Sequence, residues 1–309
     1  MTVCVFSGQG AQYEGMGKDL ANSNKAAARV YEECGEYLGY DLLALNAEQL
    51  TQTKYSQPAT VVLSLAAFAA WQNELDGALP QGLTLAGFSL GEYSALGASG
   101  ALTGRELMSL LERRSELMQA ACELNAGAMY AILGLDDEVV EEICARPEYK
   151  ETVFPANYNC PGQLVISGYA RETAEVAERC KSAGARRAAQ LSVAGAFHTP
   201  LMDSAAVGLK SFASAMTFGK PEFPMYSNVT GELLTTEIDF PSYLADHMVS
   251  PVRWTKEVLN LIANGKTDFI EFGPGKTLTG LIRKIDRQVN TSRVENSSTL
   301  NETLANHRD

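Results

Sequence analysis

Leu83-Thr84-Leu85-Ala86-Gly87-Phe88-Ser89-Leu90-Gly91-Glu92 decides the fold: a short apolar run, then a serine between glycines, then a helical stretch. The run shows no polar alternation and fits a strand of a parallel sheet covered on both faces. Gly87-Phe88-Ser89-Leu90-Gly91 fits G-x-S-x-G, where glycines permit a cramped strand-to-helix turn that pushes the serine hydroxyl into a cleft. A serine here could instead simply cap the helix. The strand-turn-helix context favours a nucleophile and places the chain among α/β proteins.

Upstream, the apolar start through Phe6 breaks into Ser7-Gly8-Gln9-Gly10-Ala11-Gln12, a strand and a glycine-rich turn whose small residues let backbone amides approach a ligand. Helical patterns cover 25–38, 58–73 with Pro58 in the first turn, and 103–122, where Thr103 and Glu106 form a capping box. Between 127 and 190 the elements shorten to strand 128–133, helix 136–145, strands 153–157 and 164–167, helix 171–183 and strand 186–191. That βαββαβ order matches a ferredoxin-like unit, so 127–190 reads as a subdomain inserted into a larger α/β domain made of 1–126 and 191–309. The larger pattern resumes with a helix near Pro200, a strand at 225–227, a helix at 254–263, a strand at 269–272 and a last helix at 276–286. The tail after Gln288 reads as polar.

The 309 residues, 46% hydrophobic and 20% charged, suit a globular protein of two domains or of one domain carrying an insertion. The longest apolar stretch, 61–71, is interrupted by Ser64 and falls short of the ~20 residues of a membrane-spanning helix. The N-terminus has no basic start followed by a cleavable apolar region, so a cytoplasmic location is expected. Six scattered cysteines form no C-x-x-C pair and point to neither a zinc ribbon nor a disulfide framework. A net charge of -12 argues against nucleic acid or an anionic membrane as partner. With three histidines and no H-E-x-x-H, Walker or EF-hand pattern, no metal site is expected.

An activated serine needs a base within hydrogen-bond reach. His307 lies in the polar tail and reads as inert. His247, near a helix end, suits a cap or a surface position. His198, in Ala196-Phe197-His198-Thr199-Pro200, sits in a connection just before a helix, where scaffolds present functional groups. Ser89 with His198 is therefore the best dyad.

These blocks, with Arg113-Arg114-Ser115-Glu116-Leu117-Met118-Gln119, the segment from Asn157 to Gly168, Tyr226-Ser227-Asn228-Val229-Thr230-Gly231, Pro251-Val252-Arg253-Trp254 and Glu271-Phe272-Gly273-Pro274-Gly275-Lys276, follow one order. In that order the chain resembles the malonyl-CoA:acyl-carrier-protein transacylase family over about residues 1 to 290. The resemblance implies a hydrolase-like parallel-sheet domain with a ferredoxin-like insertion. It implies transfer of malonyl from coenzyme A to a serine and then to the phosphopantetheine thiol of an acyl carrier protein, supplying fatty-acid elongation. Both thioesters are substrates, and no cofactor is implied. By motif, Ser89 is the nucleophile and His198 the base, while Gln9 and Leu90 give the oxyanion-hole amides and Arg114 pairs with the malonyl carboxylate. A main-chain carbonyl at His247 orients the histidine, which leaves its side chain dispensable. Asn159, with Asn157 nearby, marks a polar edge of the cleft. In related acyltransferases a phenylalanine at the place of Phe197 accompanies malonyl. Two departures stand out: Phe88 replaces the family's histidine before the serine, and Ser7 replaces a proline, which removes a source of rigidity from the oxyanion loop.

Without the resemblance, Arg114 reads as a solvated helix residue and Phe197 equally as core. A polyketide carrier would be served by the same residues, and a serine esterase or thioesterase would share G-x-S-x-G but want an acidic triad member. Acyl carrier proteins are acidic, so carrier recognition is expected at Lys181, Arg186 and Arg187 or at Lys276, Arg283, Lys284 and Arg287, clusters that otherwise read as solvated faces.

Overall fold

The computed structural model describes residues 1–193, 195–235 and 237–306. His307 lies outside the described residues. Among them are eight strands and twelve α-helices. Four strands, β1 (Thr2–Phe6), β2 (Thr84–Gly87), β7 (Asp268–Phe272) and β8 (Asn290–Val294), make an all-parallel sheet in the order β2-β1-β7-β8. The other four, β3 (Gly127–Leu133), β4 (Val153–Cys160), β5 (Gln163–Tyr169) and β6 (Arg187–Gln190), pair antiparallel in the order β4-β5-β3-β6. The protein is therefore a mixed α/β structure with one parallel and one antiparallel sheet.

The helices are α1 (Lys18–Ser23), α2 (Lys25–Leu38), α3 (Thr53–Glu74), α4 (Gly91–Ala98), α5 (Gly104–Leu124), α6 (Asp137–Cys144) and α7 (Ala170–Ser182). They continue with α8 (Asp203–Ala213), α9 (Phe240–Val249), α10 (Trp254–Ala263), α11 (Thr277–Ile285) and α12 (Ser297–Asn306). α6 and α7 pack against the antiparallel sheet around Ile132, Val140, Leu164, Ile166 and Val176. The main core joins β1 and β7 to α3, whose residues from Val61 to Trp71 are nearly all buried, and to α4, α5 and α8. Burial on every side explains the low amphipathicity of α3: few of its positions are free to be polar. No helix among the described residues is long and apolar enough to cross a membrane.

The sequence reading needs three corrections. α3 begins at Thr53, one turn before the expected start, and holds Pro58 inside. The Gln57 amide bonds the Thr53 hydroxyl at 2.9 Å one turn back, helping to hold the turn the proline cannot. The expected strand at 225–227 shrinks to isolated bridges, with Met225 set parallel to Leu85 at the sheet edge. The polar tail is ordered: β8 is an edge strand, where polar residues are tolerated, and α12 buries Leu300 and Leu304 one turn apart.

Candidate active site

The cleft opens at the carboxyl ends of β1 and β2. Gly87 and Gly91 make the turn between β2 and α4 possible, because a Cβ on Gly87 would run into the Gly91 backbone and one on Gly91 into the Phe6 carbonyl. Between them the backbone of Ser89 takes φ 51°. Only three non-glycine residues among those described sit in this left-handed region, Asp76, Ser89 and His198, so two of the three form the expected dyad. Such conformers cost of order 1–3 kcal/mol each and persist only where surrounding contacts enforce them.

Ser89 Oγ lies 2.7 Å from His198 Nε2. On the far side of the ring, Nδ1 faces the carbonyls of His247 at 3.2 Å and Ser250 at 3.1 Å. Both only accept, so Nδ1 carries the proton and Nε2 offers its lone pair to the serine hydroxyl. Burial, reinforced by the Arg114 guanidinium, pushes the His198 imidazole down to about 4 against the opposing pull of the two carbonyls. It is neutral at pH 7 and free to take a proton.

The Gln9 and Leu90 backbone N–H groups have no hydrogen-bond partner among the described residues. The Gln9 side chain is anchored on Ser56 Oγ at 2.9 Å. Ser7, where the resemblance expects a proline, is anchored by two hydrogen bonds. Its N–H bonds the Phe272 carbonyl at 3.1 Å, and its hydroxyl donates to Glu271 Oε1 at 3.2 Å. Glu271 also accepts the Leu278 and Thr279 N–H groups at 3.0 and 2.7 Å, so the loop is tied to the first turn of α11. Phe88 lines the cleft and meets Trp254 edge-on, with centroids 5.6 Å apart.

Arg114 is 2% exposed, which overturns the solvated reading. Its Nη1 donates to Gln57 Oε1 at 2.6 Å, and the guanidinium lies 4.8 Å from the Tyr93 ring centre. Its Nε is buried without a partner, and no carboxylate pairs with it among the described residues. A buried guanidinium without an anion is costly, and a ligand carboxylate would relieve it. Arg114 is not itself a lining residue of the cavity, whereas its neighbours Ser115 and Glu116 and the Ser56 beside Gln57 are.

The cavity measures about 950 Å³ and holds Ser89, His198, Gln9, Asn157, Asn159 and Phe197 in its lining. Asn159 Oδ1 is buried there without a hydrogen-bond partner. Phe197 packs on Met129, Ala156 and Val165 of the antiparallel sheet as well as on the main core. Its core reading and its pocket-shaping reading therefore coexist.

His247 is 1% exposed, so the surface reading fails. Its Nε2 lies 3.2 Å from Glu92 Oε2, neither ring nitrogen makes a hydrogen bond among the described residues, and the ring stands edge-on to His198. Burial drives the Glu92 carboxyl up to about 8 and the His247 imidazole well down. At pH 7 the contact therefore joins an uncharged acid to an uncharged imidazole. Tyr243 Oη lies 2.9 Å from both Glu92 oxygens, and Asn228 links Glu92 to the serine turn. Glu92 and Asn228 stood inside the motif blocks with no role assigned. Gln57, Ser250 and Glu257 carried no usable signal, since a glutamate on an amphipathic helix reads as exposed.

One residue from each basic cluster, Lys284 and Arg186, approaches the loops that carry Gln163 and Gly134. Lys284 Nζ donates to Gln163 Oε1 at 3.2 Å, and the Gly162 carbonyl beside it accepts the Gly134 N–H at 2.8 Å. The Arg186 side chain lies against Gly134. Gln163, Thr277 and Leu281 belong to the cavity lining. Lys181 turns instead to Glu178 at 2.6 Å.

Residues 3–303 match the model of the acyl transferase domain family. The chain belongs to this family. Among curated relatives, this acyl transferase is 40% identical to the malonyl CoA-acyl carrier protein transacylase of Bacillus subtilis (strain 168), with 96% of this chain and 94% of that one covered. It is 37% identical to that of Escherichia coli (strain K12), with 96% of each covered. A solved malonyl-transacylase in complex with a type II PKS acyl-carrier protein superposes with a TM-score of 0.93 at 35% identity, covering 99% of each chain. The Streptococcus pneumoniae MCAT structure superposes with a TM-score of 0.91 at 35% identity, covering 99% of this chain and 100% of that one.

Proposed function

We propose that this acyl transferase moves malonyl from malonyl-CoA to the phosphopantetheine thiol of an acyl carrier protein, through a malonyl ester on Ser89, and so supplies fatty-acid elongation. The observation that carries the reading is the 2.7 Å contact between Ser89 Oγ and a His198 held by main-chain carbonyls. His198 Nε2 takes the hydroxyl proton as Oγ attacks the thioester carbonyl. The resulting oxyanion is received by the Gln9 and Leu90 N–H groups, a pair in which one donor is worth about 10²–10³ in rate. The tetrahedral species then collapses, the carbon–sulfur bond breaks, and coenzyme A leaves with the proton from His198. In the second half-reaction the carrier thiol gives its proton to His198 as its sulfur attacks the ester carbonyl, and collapse breaks the acyl–Oγ bond and returns that proton to Ser89 Oγ. Arg114 receives the malonyl carboxylate, Phe197 crowds the carbon between the carbonyls, and Asn159 offers its free acceptor at the cleft edge. The thioesters are the only small-molecule partners this chemistry requires.

Residues 127–190 are taken as a ferredoxin-like subdomain inserted into a hydrolase-like domain of 1–126 and 191–309; the βαββαβ order and the β4-β5-β3-β6 strand order support this. The substrates and the absence of a membrane-crossing helix among the described residues support a cytoplasmic place of work. The neighbour bound to a polyketide carrier supports a second reading with the same chemistry and a different carrier. An esterase or thioesterase is disfavoured, because His198 leans on carbonyls and no carboxylate serves it among the described residues.

Intact-protein mass spectrometry after malonyl-CoA, then after addition of a holo carrier, tests the reading. A malonyl adduct that moves to carrier supports it. Adduct loss to water at the same rate with or without carrier would make the protein a hydrolase, and an adduct on Ser89→Ala protein would remove the nucleophile.

A further inference from the structure

We propose that Asn228 is the positioning residue of the nucleophile, holding the Ser89 backbone in its strained conformation and tying it, through Glu92 and His247, to the carbonyl that orients His198. The proposal rests on the Ser89–His198 reading above.

Asn228 lies beneath the turn, 1% exposed, and spends every hydrogen-bonding group of its amide there. Oδ1 accepts the Ser89 N–H at 2.6 Å. Nδ2 donates to the Gly87 carbonyl at 2.6 Å and to Glu257 Oε2 at 2.8 Å. Among the described residues it is the one side chain bonded to the backbone on both sides of Phe88. A primary amide provides an acceptor for one flank and a donor for the other from a single planar group. Engaging the Ser89 N–H also keeps that donor from competing with Gln9 and Leu90 for the oxyanion.

Asn228 is itself held. Its backbone N–H donates to Glu92 Oε1 at 2.5 Å, and Glu92 Oε2 lies 3.2 Å from His247 Nε2. The His247 carbonyl receives His198 Nδ1 at 3.2 Å, and His198 Nε2 returns to Ser89 Oγ at 2.7 Å. Hydrogen bonds thus join Ser89 to Asn228, Asn228 to Glu92, and His198 to Ser89 and the His247 carbonyl, while a 3.2 Å contact without hydrogen-bond geometry between Glu92 and His247 closes the circuit. Tyr243, bonded to Glu92 and to Ser227 Oγ at 2.9 Å, braces the circuit from α9.

The experiment compares Asn228→Ala and Asn228→Asp with wild type by thermal melting, by kcat and KM for malonyl-CoA, and by the rate of sulfonylation with phenylmethylsulfonyl fluoride, which reports serine reactivity without the malonyl contacts. For folded Asn228→Ala, kcat and sulfonylation should both fall about 10²-fold with KM within about threefold, because a small misplacement of reacting atoms costs rate rather than binding. Asn228→Asp, which keeps the acceptor for Ser89 but loses both donors, should recover part of that loss. A folded variant sulfonylated within about threefold of the wild-type rate overturns the proposal. So does misfolding of both variants, which would make the role purely structural. Sulfonylation of Ser89→Ala at the wild-type rate would strike the dyad assignment itself and not Asn228.

Discussion

β1, β2 and β7 of the parallel sheet are buried along almost their whole length, whereas β6 of the antiparallel sheet leaves Arg187 and Gln190 exposed and β4 varies residue by residue. The two sheets meet the same cavity with different materials. The parallel sheet delivers Ser89 and Gln9 at its carboxyl ends, on turns crowded against neighbouring backbone. The antiparallel sheet delivers Met129, Asn157, Asn159 and Val165, none of which titrates near neutrality. His198 stands between, on the segment returning from β6, with Phe197 packed on the antiparallel sheet. In the proposed reading the parallel sheet supplies the groups that change bonds, and the antiparallel sheet borders the entering acyl group and the docking carrier.

Ser89→Ala and His198→Ala test the first half of that division and should show the largest effects, a loss of about 10⁴-fold or more in kcat for malonyl transfer. Asn159→Ala, on the antiparallel side, should cost only about tenfold, the scale of one uncharged hydrogen bond. A steady-state comparison in which Asn159→Ala matches His198→Ala would erase the distinction.

Arg114 cuts across it, because a residue of the main core would here set acyl specificity and tune the base together. Losing a charge-assisted contact costs about 1.5–3 kcal/mol, so Arg114→Ala should narrow the malonyl-over-acetyl preference by roughly 10- to 150-fold in kcat/KM. The same change should alter the pH profile. The neutral His198 is the active form, so wild-type kcat/KM should fall with acid only as pH approaches about 4. Removing the nearby cation raises the imidazole toward its ordinary value, so the acid limb of Arg114→Ala should move to higher pH. An unmoved limb together with an intact acyl preference would shift attention to Arg113.

Phe197→Ser should relax the exclusion of methylmalonyl-CoA by no more than about 10- to 200-fold, the worth of one methyl group, while malonyl transfer changes less. The rim should respond more gently still. Arg186→Glu with Arg187→Glu should slow transfer to carrier by about tenfold at low salt and leave the coenzyme A half-reaction unchanged. Carrier kinetics equal to wild type at low salt would release the antiparallel sheet from that duty.

Legibility in the sequence divided along a different line, between local patterns and contacts of distant segments. The G-x-S-x-G turn, the capping box at Thr103 and the βαββαβ order are local patterns, and each stands where it was read. The edge strand β8 was missed because an edge position tolerates polar residues, and α12 because its two buried leucines stand among polar neighbours. Contacts between distant segments left no trace. Gln57 meets Arg114 across 57 positions and Asn228 meets Ser89 across 139, and periodicity cannot encode such pairings. Burial of Arg114 and His247 was hidden for the same reason, since side chains of these types are usually exposed unless paired.

The smallest expected effect concerns Ser7, where this chain solves the rigidity of the oxyanion loop differently from its family. A proline fixes φ and limits the unfolded chain, a gain of about 0.4–1 kcal/mol where the geometry suits it. Ser7 instead makes two bonds, from its N–H to Phe272 and from its hydroxyl to Glu271, each worth about 0.5–1.5 kcal/mol. Ser7→Ala removes only the second and should lower the melting temperature by a few degrees and kcat by about two- to fivefold, through the Gln9 donor that follows it. Ser7→Pro removes both but restores the stiffness, so it should fall no further than Ser7→Ala in kcat. Melting curves and single-turnover malonylation of the two variants decide the point: if Ser7→Pro is the slower by more than about tenfold, the loop depends on its tie to β7 and not on rigidity as such.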